Sequence, residues 1–412
     1  MASSESIDDS HELSATKTNE LSPIELTQSR VQRPHSLPRE IAFILIICMA
    51  QLMTQAGLGQ IIAPLHIIGA SFGVDNDPAQ LSWFPAAYSL TVGTFILIAG
   101  RLGDLYGHKR LFVAGFLWFA LWSLLAGFAV YSGPIFFDCC RAFQGLGPAF
   151  LLPNGIAILG RAYEPGVRKQ MVFSAFGAMA PSGFIVGAFI SSVFAEFVWW
   201  PWGYWVMAML CLVFGVASMF LIPHTPSPEL DNSQSIWARA DIAGCFTGVS
   251  GLVLVNFAWN QAPVVGWSNP YVYVLLIIGL ISLVAFGHIE KRAKFPLVPF
   301  ASMTPDIGFI LASVACGWAA FGIWVFYTWQ FIQQLRGVSP ILGVAQFLPT
   351  PISGFLAAFT TGLIMHRVPG SVVMMIALAA FCTGSILIAT APVQQTYWAQ
   401  VFVATVVMPW GM

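Results

Sequence analysis

Apolar segments of about twenty residues recur along the whole of this chain, and short polar connections separate them. Such a segment can cross the hydrocarbon core of a bilayer, because a helix hydrogen-bonds its own backbone internally. Eleven complete segments and one that runs into the last residue lie near residues 41–68, 81–100, 111–130, 134–158, 171–194, 203–222, 241–260, 271–288, 307–330, 340–365, 371–391 and from 396 onwards. This pattern predicts an all-α integral membrane protein.

The composition supports the same fold class, because 57% of the 412 residues are hydrophobic and only 8% are charged. So few charged side chains could not cover the surface of a water-soluble protein of this size. The seven cysteines lie inside apolar segments and show no spacing typical of a metal site. We therefore predict neither a metal nor a cofactor.

The apolar segments form two groups with a polar break between them. Residues 1–40 are polar, show no apolar period and are predicted to be a disordered cytoplasmic tail. We expect a six-helix bundle over 41–222, a cytoplasmic loop over 223–240, two linker helices over 241–290 and a partial second bundle over 307–412. Because the second group has two helices fewer than the first, we expect a chain truncated at its C-terminus. A mispredicted gene product and a chain that ends in an unusually short helix are the alternatives.

The distribution of cations predicts the orientation of the chain. Cytoplasmic loops of membrane proteins carry an excess of lysine and arginine. With the tail placed inside, four of the 17 cations fall in the tail and eleven in loops on the same side. We therefore predict a cytoplasmic N-terminus.

The connection between the second and third segments combines turn glycines, one carboxylate and a basic cluster. Its pattern over residues 100–110 is Gly-x-Leu-x-Asp-x-x-Gly-x-Lys-Arg. We expect a hairpin at the membrane surface, with Asp104 at the start of the third helix and bound to a nearby cation or helix N-terminus. A plain turn whose cations only anchor the topology is the alternative. The candidate gating residues are Gly100, Gly103, Asp104, Gly107, Lys109 and Arg110.

An arginine inside the fourth segment is the strongest single candidate for a functional residue. Arg141 shares a helix face with Asp138 and Gln144, which lie three residues before and after it. An unpaired arginine at this depth costs about 3 kcal/mol or more, so we expect it to face the protein interior or a water-filled cavity. The alternative is an internal ion pair between Asp138 and Arg141 that only holds helices together.

The first segment carries two amides where a proton-binding acid would be useful. Gln55 and Gln60 cannot take up or release a proton near neutral pH. A proton carried by this chain therefore needs another group. Asp138 is the acid well inside a segment, and His66, near the end of the first segment, is a weaker candidate.

Two later segments complete the set of candidates. Small residues four apart let helix backbones approach closely, and a proline inside a span kinks it. The fifth segment contains such a set in Gly177, Pro181, Gly183 and Gly187. The ninth segment is rich in aromatic residues, most of which we expect to anchor the interface or fill the core. Trp324 and Gln330 are candidates for the wall of a ligand cavity.

These motifs together resemble those of the major facilitator superfamily of transporters. The loop over 100–110 is similar to the family signature between helices 2 and 3, and residues 362–370 resemble a weaker copy without the acid. The stretch from Arg141 to Gly147 is similar to the helix-4 motif, whose arginine is associated with proton coupling and substrate handling. The fifth segment resembles the antiporter motif of helix 5, but with Ala180 before the proline and Phe184 in place of a second glycine.

The resemblance extends to one group within that superfamily. Residues 241–267 and 290–297 are similar to the extra central helix pair of the 14-helix drug:proton antiporters. Residues 55–60 and 199–202 are most similar to the fungal aminotriazole-resistance and boron-exporter-like branch. The resemblance implies two six-helix bundles with two extra central helices, of which the second bundle is incomplete here.

The function implied by this resemblance is secondary-active export of a small or amphipathic toxic compound by alternating access, coupled to protons. Because Gln55 replaces the usual acid of helix 1, an uncoupled or uptake transporter of a small nutrient is the alternative. A transporter-like sensor or a nonfunctional fragment is an alternative of another class. No nucleotide-binding loop or nucleophile arrangement indicates an enzyme. The expected partners are a small-molecule substrate, H+ and the lipid bilayer, with no nucleic acid. We expect a monomer in the plasma membrane, with the vacuolar membrane as the alternative.

Overall fold

The computed structural model describes residues 36–223, 241–300, 303–365 and 367–412. All regular structure within these ranges is helical. Most of the predicted tail (1–40) and loop (223–240) lies outside them. The α-helices in chain order are α1 Leu37–Ile62, α2 Leu65–Ser71, α3 Pro78–Tyr106, α4 His108–Phe128, α5 Pro134–Ala162, α6 Val167–Phe197, α7 Pro201–Leu221, α8 Ile242–Val265, α9 Pro270–Glu290, α10 Pro305–Gln330, α11 Pro340–Phe347, α12 Pro349–Ile364, α13 Gly370–Ala389 and α14 Gln400–Val407.

The helices account for the apolar segments of the sequence. In the described ranges, 11 helical stretches are long and apolar enough to cross a membrane, and Gln400–Gly411 is a shorter apolar helix. Three of these stretches contain more than one element. Helix α4 continues into the 3-10 turn Ala129–Tyr131, α10 continues into the π-helical turn Phe331–Leu335, and α11 and α12 together form Pro340–Ile364. The prediction of an all-α membrane fold is confirmed.

Prolines affect the helix ends differently. The first segment was expected to continue to residue 68, but α1 ends at Ile62, and α2 begins after Pro64. Pro64 has no N–H to donate to the preceding turn, so a break there is physically reasonable. Pro85 and Pro181, by contrast, lie inside α3 and α6. Helices packed in a membrane tolerate such prolines, because neighbouring groups satisfy the freed carbonyls.

The loop expected over residues 100–110 is mostly helix. Helix α3 continues to Tyr106, Gly107 alone forms the turn with a φ of 95°, and α4 begins at His108. Asp104 therefore lies in the last turn of α3, and the expectation that it starts the next helix is wrong. Among the three glycines over residues 100–110, Gly107 has the backbone conformation that an L-residue rarely adopts, and Gly100 and Gly103 do not interrupt the helix.

Helix packing defines two groups and a pair between them. Helices α1 to α7 pack together as a first half, and α10 to α14 pack together as a second half. In the middle pair, α9 packs on α8 and α8 packs on α3, while the two halves meet mainly where α6 contacts α11 and α12. We call the end of the first half that carries Lys109, Arg110, Arg161 and Arg168 the basic face, and the other end the opposite face.

Candidate functional site

A cavity of about 540 Å³ lies between the two halves. It extends from the middle of α6, at Pro181, to the basic face at Lys169 and Met365. The volume falls within the range of small-molecule sites. Its walls come from α1, α6, α10, α12 and the end of the chain, namely Gln51, Lys169, Gln170, Phe173, Ser174, Gly177, Ala178, Ala180, Pro181, Trp318, Gly354, Ala358, Thr361, Gly362, Met365, Pro409 and Met412.

A few polar side chains interrupt the apolar wall of this cavity. Gln51, Ser174 and Thr361 line it, and so does Gln170, whose buried Oε1 has no hydrogen-bond partner. The Nζ of Lys169 donates to the Gly160 carbonyl at 3.0 Å at the mouth of the cavity. A largely apolar wall with a few polar groups is typical of a ligand site, and the sequence analysis missed all five of these residues.

Above the cavity, toward the opposite face, the two halves close on a small space lined by aromatic rings. Gln55 and Trp324 line this space together with Phe184 and Thr350. The Nε1 of Trp324 and the Oγ1 of Thr350 are buried and have no hydrogen-bond partner. This space adjoins the cavity, because Ala180 and Pro181 line both, so Gln55 and Trp324 lie next to the cavity.

At the opposite face, hydrogen bonds join the two halves directly. Nε2 of His66 lies 2.8 Å from Oε1 of Gln330, and Nε2 of Gln333 donates to the Ala63 carbonyl at 2.6 Å. The Ile341 N–H donates to Oε1 of Glu196 at 2.7 Å. Gln330 thus belongs to this closure rather than to the cavity wall. The structure is closed at the opposite face while the cavity extends to the basic face.

The small-residue set of the fifth segment divides between two sides of α6. Gly177 and Pro181 line the cavity. A Cβ atom on Gly183 would collide with the Leu52 carbonyl of α1, and one on Gly187 with the Ala56 carbonyl. The second pair therefore allows α1 and α6 to approach backbone to backbone, as small residues do in membrane helices.

Arg141 is fully buried inside the first half and does not line the cavity. Its guanidinium donates to the Phe84 carbonyl at 3.2 Å, to the Gly57 carbonyl at 2.8 Å and to Oε1 of Gln144. It also lies 4.5 Å from the centre of the Tyr88 ring, a distance typical of a cation–π interaction. Arg141 thus ties α5 to α1 and α3 and balances its buried charge with carbonyls and rings.

Asp138 and Arg141 form no ion pair, so the alternative of a purely internal salt bridge is wrong. Asp138 lies in the second turn of α5, near the opposite face, and its Oδ2 accepts from Nε2 of Gln80 at 3.2 Å. Its Oδ1 is buried without a hydrogen-bond partner. Gln144, one turn beyond Arg141, accepts a hydrogen bond from the guanidinium and donates one to Oγ of Ser123 at 2.7 Å.

Gln60 is separated from the other candidate residues. It is 1% exposed, and neither atom of its amide has a hydrogen-bond partner. It lines a space of about 20 Å³ between α1, α6 and α7, which is large enough for one water molecule. The structure therefore does not bring Gln55 and Gln60 into one site.

The candidate gating residues hold helix ends together at the basic face. Oδ1 of Asp104 lies 3.2 Å from Nη2 of Arg161 and 3.3 Å from Nε2 of His108, so it contacts the end of α5 and the start of α4. Nζ of Lys109 donates to the Met219 and Ile222 carbonyls at the C-terminus of α7. A cation there satisfies orphan carbonyls and the helix dipole.

The remaining members of this set differ in their surroundings. A Cβ on Gly103 would collide with Oδ1 of Asn154, so this glycine allows α3 and α5 to touch. A Cβ on Gly100 would make only ordinary contact with Pro153, at 3.4 Å, and Arg110 is exposed. Gly103, Asp104 and Lys109 thus make the contacts of this loop with other helices, and Gly107 forms its turn.

Comparisons with known proteins agree with this architecture. The profile of the Major Facilitator Superfamily matches residues 44–412. Efflux pump terJ of Aspergillus terreus is 62% identical over 382 residues, which are 93% of this chain and 74% of that protein. The low affinity ammonium transporter of Saccharomyces cerevisiae is 64% identical, over 92% of this chain and 74% of its own length.

The expected likeness to the aminotriazole-resistance branch also holds, at lower identity. The aminotriazole resistance protein of Saccharomyces cerevisiae is 36% identical over 91% of this chain and 69% of its own length. Among solved structures, a peptide transporter POT in complex with sulfate has a TM-score of 0.63 at 16% identity, covering 94% of this chain and 83% of that one. At that identity the likeness concerns the fold alone.

The family match covers most of the chain, and relatives of high identity are transporters, so an enzymatic function is excluded by membership rather than by any missing group. The helices, the cavity between the two halves and the sequence comparisons lead to the same assignment. This chain is a multi-pass membrane transporter of the major facilitator superfamily.

Proposed function

We propose that this transporter exports a small or amphipathic toxic compound by alternating access. The observation that carries the proposal is the cavity of about 540 Å³, which reaches the basic face while hydrogen bonds between the halves close the opposite face. A site between two halves that is reachable from one side at a time is what alternating access requires. The printed names of relatives such as efflux pump terJ favour the export direction.

The basic face is the cytoplasmic side in this proposal. Lysine and arginine accumulate in cytoplasmic loops, and the cavity mouth lies on the face that carries them. A substrate would then enter the cavity between α6 and α12 from the cytoplasm, and leave when the opposite face opens. We propose a monomer in the plasma membrane, with the N-terminus inside.

We also propose that export is coupled to protons and that Asp138 is the residue that binds the proton. Its buried Oδ1 lacks a partner, and it lies one turn from the fully buried Arg141. Protonation would remove the charge from this buried carboxyl, whereas the ionised form is stabilised by the nearby guanidinium. Gln80 connects this carboxylate to α3 near the opposite face, the side from which protons would enter an exporter.

The experiment for export uses an efflux-deficient yeast strain that expresses the full chain, screened against borate, azoles and other small toxicants. Ala358→Trp places a large side chain in the cavity, while Phe359→Trp, on the next residue of α12, changes a side chain that is 55% exposed outside it. We expect the wild type and Phe359→Trp to confer resistance. Ala358→Trp should not confer it. Equal resistance for the two variants would mean that the cavity is not the transport site.

The experiment for coupling measures export from vesicles with and without a pH gradient. We expect export to depend on the gradient, and Asp138→Asn to remove that dependence. Asp75→Asn, in the loop between α2 and α3, is the matched control and should behave as the wild type. Undiminished export after the gradient is collapsed would exclude proton antiport.

A second candidate function is uncoupled or uptake transport of a small nutrient. Gln55, rather than an acid, lies beside the small aromatic space above the cavity, and the relative at 64% identity is named a low affinity ammonium transporter. Uptake of radiolabelled methylammonium by cells that express this chain, absent in cells without it, would favour this function over export.

A further inference from the structure

Glu196 is an acid in an unfavourable position on its own helix. It lies in the last turn of α6, and that turn contains no basic residue. The C-terminal end of a helix carries partial negative charge, so a carboxylate there is disfavoured. The end of its own helix therefore does not stabilise the carboxylate of Glu196.

The partner of Glu196 is in the other half of the molecule. Oε1 of Glu196 accepts the Ile341 N–H at 2.7 Å, in the first turn of α11. The N-terminal N–H groups of a helix have no partner within that helix, and they carry partial positive charge. Ser339 caps Leu342 from within the same half, so Glu196 supplies the cap for the neighbouring N–H across the interface.

The other bonds of the closure involve no carboxylate. His66 pairs with Gln330, and Gln333 donates to the Ala63 carbonyl, at the break between α1 and α2. The partners from the second half sit at the end of α10 and in the π-helical turn Phe331–Leu335 that follows it. Such turns often occur at functional sites, and this turn contributes Gln333 to the contact between the two halves.

We propose that Glu196 is a positioning residue for transport, whose ionised carboxylate clamps α11 to α6 and holds the opposite face closed, and whose protonation releases the second half. A hydrogen bond to an ionised acceptor is about twice as strong as a neutral one. Protonation would therefore weaken the bond to the Ile341 N–H without removing any atom. The proposal concerns the equilibrium between closed and open forms and needs neither a substrate nor a direction of transport.

Other charged or titratable groups near this closure are few. Helix α2 contributes His66, and the segment after the π-helical turn contributes Arg336, whose Nη2 donates to the Pro392 carbonyl at 2.9 Å. Helix α7 contributes the buried Tyr204 and Cys211, and the hydroxyl of Tyr397 donates to the Gln346 carbonyl of α11 at 2.6 Å. Residues 340–347, which form α11, contain no titratable side chain. The loop before α3 contains two acids, Asp75 and Asp77, which bond to Asn76 and to the first turn of α3. Of these groups, His66 joins the halves through its side chain, so the test must separate it from Glu196.

The experiment measures the distance between spin labels on the two halves at the opposite face. Labels carried by genetically encoded amino acids at Asn76 and Gln394 leave the native cysteines in place, and both positions are exposed. A second pair, at Val167 and Ser371, reports the basic face. The full chain is reconstituted in lipid nanodiscs and measured at about pH 7.5 and about pH 4, on either side of the ordinary titration range of a glutamate.

In the wild type we expect the closed distance at the higher pH and a longer distance to appear at the lower pH. Glu196→Gln keeps an acceptor oxygen but no charge, so it should raise the ratio of open to closed forms about fivefold at the higher pH. It should also lose most of the pH response, whereas Glu196→Asp should restore a measurable part of it. The basic-face pair should shift in the opposite sense in each case.

Two controls complete the test. His66→Gln should favour the open form but keep the pH response, and Glu164→Gln, an exposed acid at the basic face, should change neither. A Glu196→Gln protein with wild-type distances at both pH values would overturn the proposal. A pH response that disappears in His66→Gln and persists in Glu196→Gln would also overturn it. Because no substrate is present, a failure of export or of proton coupling would leave this result unaffected.

Discussion

The two faces of α6 allow one test that separates helix packing from lining of the cavity. Gly183 and Gly177 belong to the same small-residue set, and both lie inside the same helix. A Cβ on Gly183 would lie 2.8 Å from the Cα of Leu52 and closer still to its carbonyl oxygen, whereas a Cβ on Gly177 would meet no atom within 4 Å. Replacing each glycine by alanine therefore adds the same methyl group to two very different surroundings.

The expected magnitudes follow from two opposing terms. Replacement of a glycine by alanine inside a helix stabilises it by up to about 1 kcal/mol, and this term is common to both variants. At Gly183 the methyl group meets the backbone of α1, which cannot rotate away as a side chain can, and overpacking of this kind costs about 1–3 kcal/mol. The free energy of unfolding of Gly183→Ala should therefore lie about 1–3 kcal/mol below that of Gly177→Ala.

The assay is reversible unfolding in mixed micelles with increasing denaturing detergent, followed by the helical circular dichroism signal. We expect Gly177→Ala to equal or slightly exceed the wild type in stability, and Gly183→Ala to unfold at lower detergent concentration. Because both variants carry the same propensity term, their difference isolates the contact between α1 and α6. Equal midpoints for the two variants would refute the interpretation of Gly183 as a packing residue.

Three further outcomes follow from individual contacts. Arg141→Lys keeps the charge but loses the planar guanidinium that donates to the Phe84 and Gly57 carbonyls and to Gln144. It should therefore lower the free energy of unfolding by at least about 1 kcal/mol in the same assay, while Arg161→Lys at the basic face should not. Asp104→Asn removes a half-exposed ion pair, so it should slow transport in vesicles while the unfolding midpoint stays unchanged. Thr361→Val should weaken substrate binding without affecting stability, because the side chain of Thr361 lines the cavity. Transport at varied substrate concentration measures the first effect, and the unfolding assay measures the second.

The number and nature of the helices could be predicted from the sequence, because crossing a bilayer requires long apolar stretches and leaves few alternatives. Helix ends were harder, since they depend on single residues. Pro64 ended α1 earlier than its apolar run suggested, whereas Gly100 and Gly103 did not end α3. A glycine terminates a helix only where the chain adopts positive φ, as at Gly107, and composition alone does not reveal which glycine that is.

The buried position of Arg141 could also be predicted, because a charge inside an apolar segment must find partners within the protein. Its partners could not be predicted, since the Phe84 and Gly57 carbonyls are backbone atoms that any residue would supply. The cation–π contact with Tyr88 likewise depends on how α3 and α5 cross. A motif therefore identifies the residue that needs a partner but not the helices that provide one.

Glutamine shows most clearly why the cavity itself could not be predicted from the sequence. Gln51 and Gln170 line the cavity, Gln55 lies above it, and Gln60 and Gln144 are packed inside the first half, yet each is one amide in an apolar run. Helical spacing does give part of the answer, because Gln51 and Gln55 are four residues apart and share a face, whereas Gln60 is turned away by more than 100°. The spacing cannot say which face meets a cavity, since the far wall belongs to α12, about 180 residues further along the chain than α6. The site arises where those two helices converge, so a method that reads one segment at a time can rank the amides by face but cannot choose between the faces.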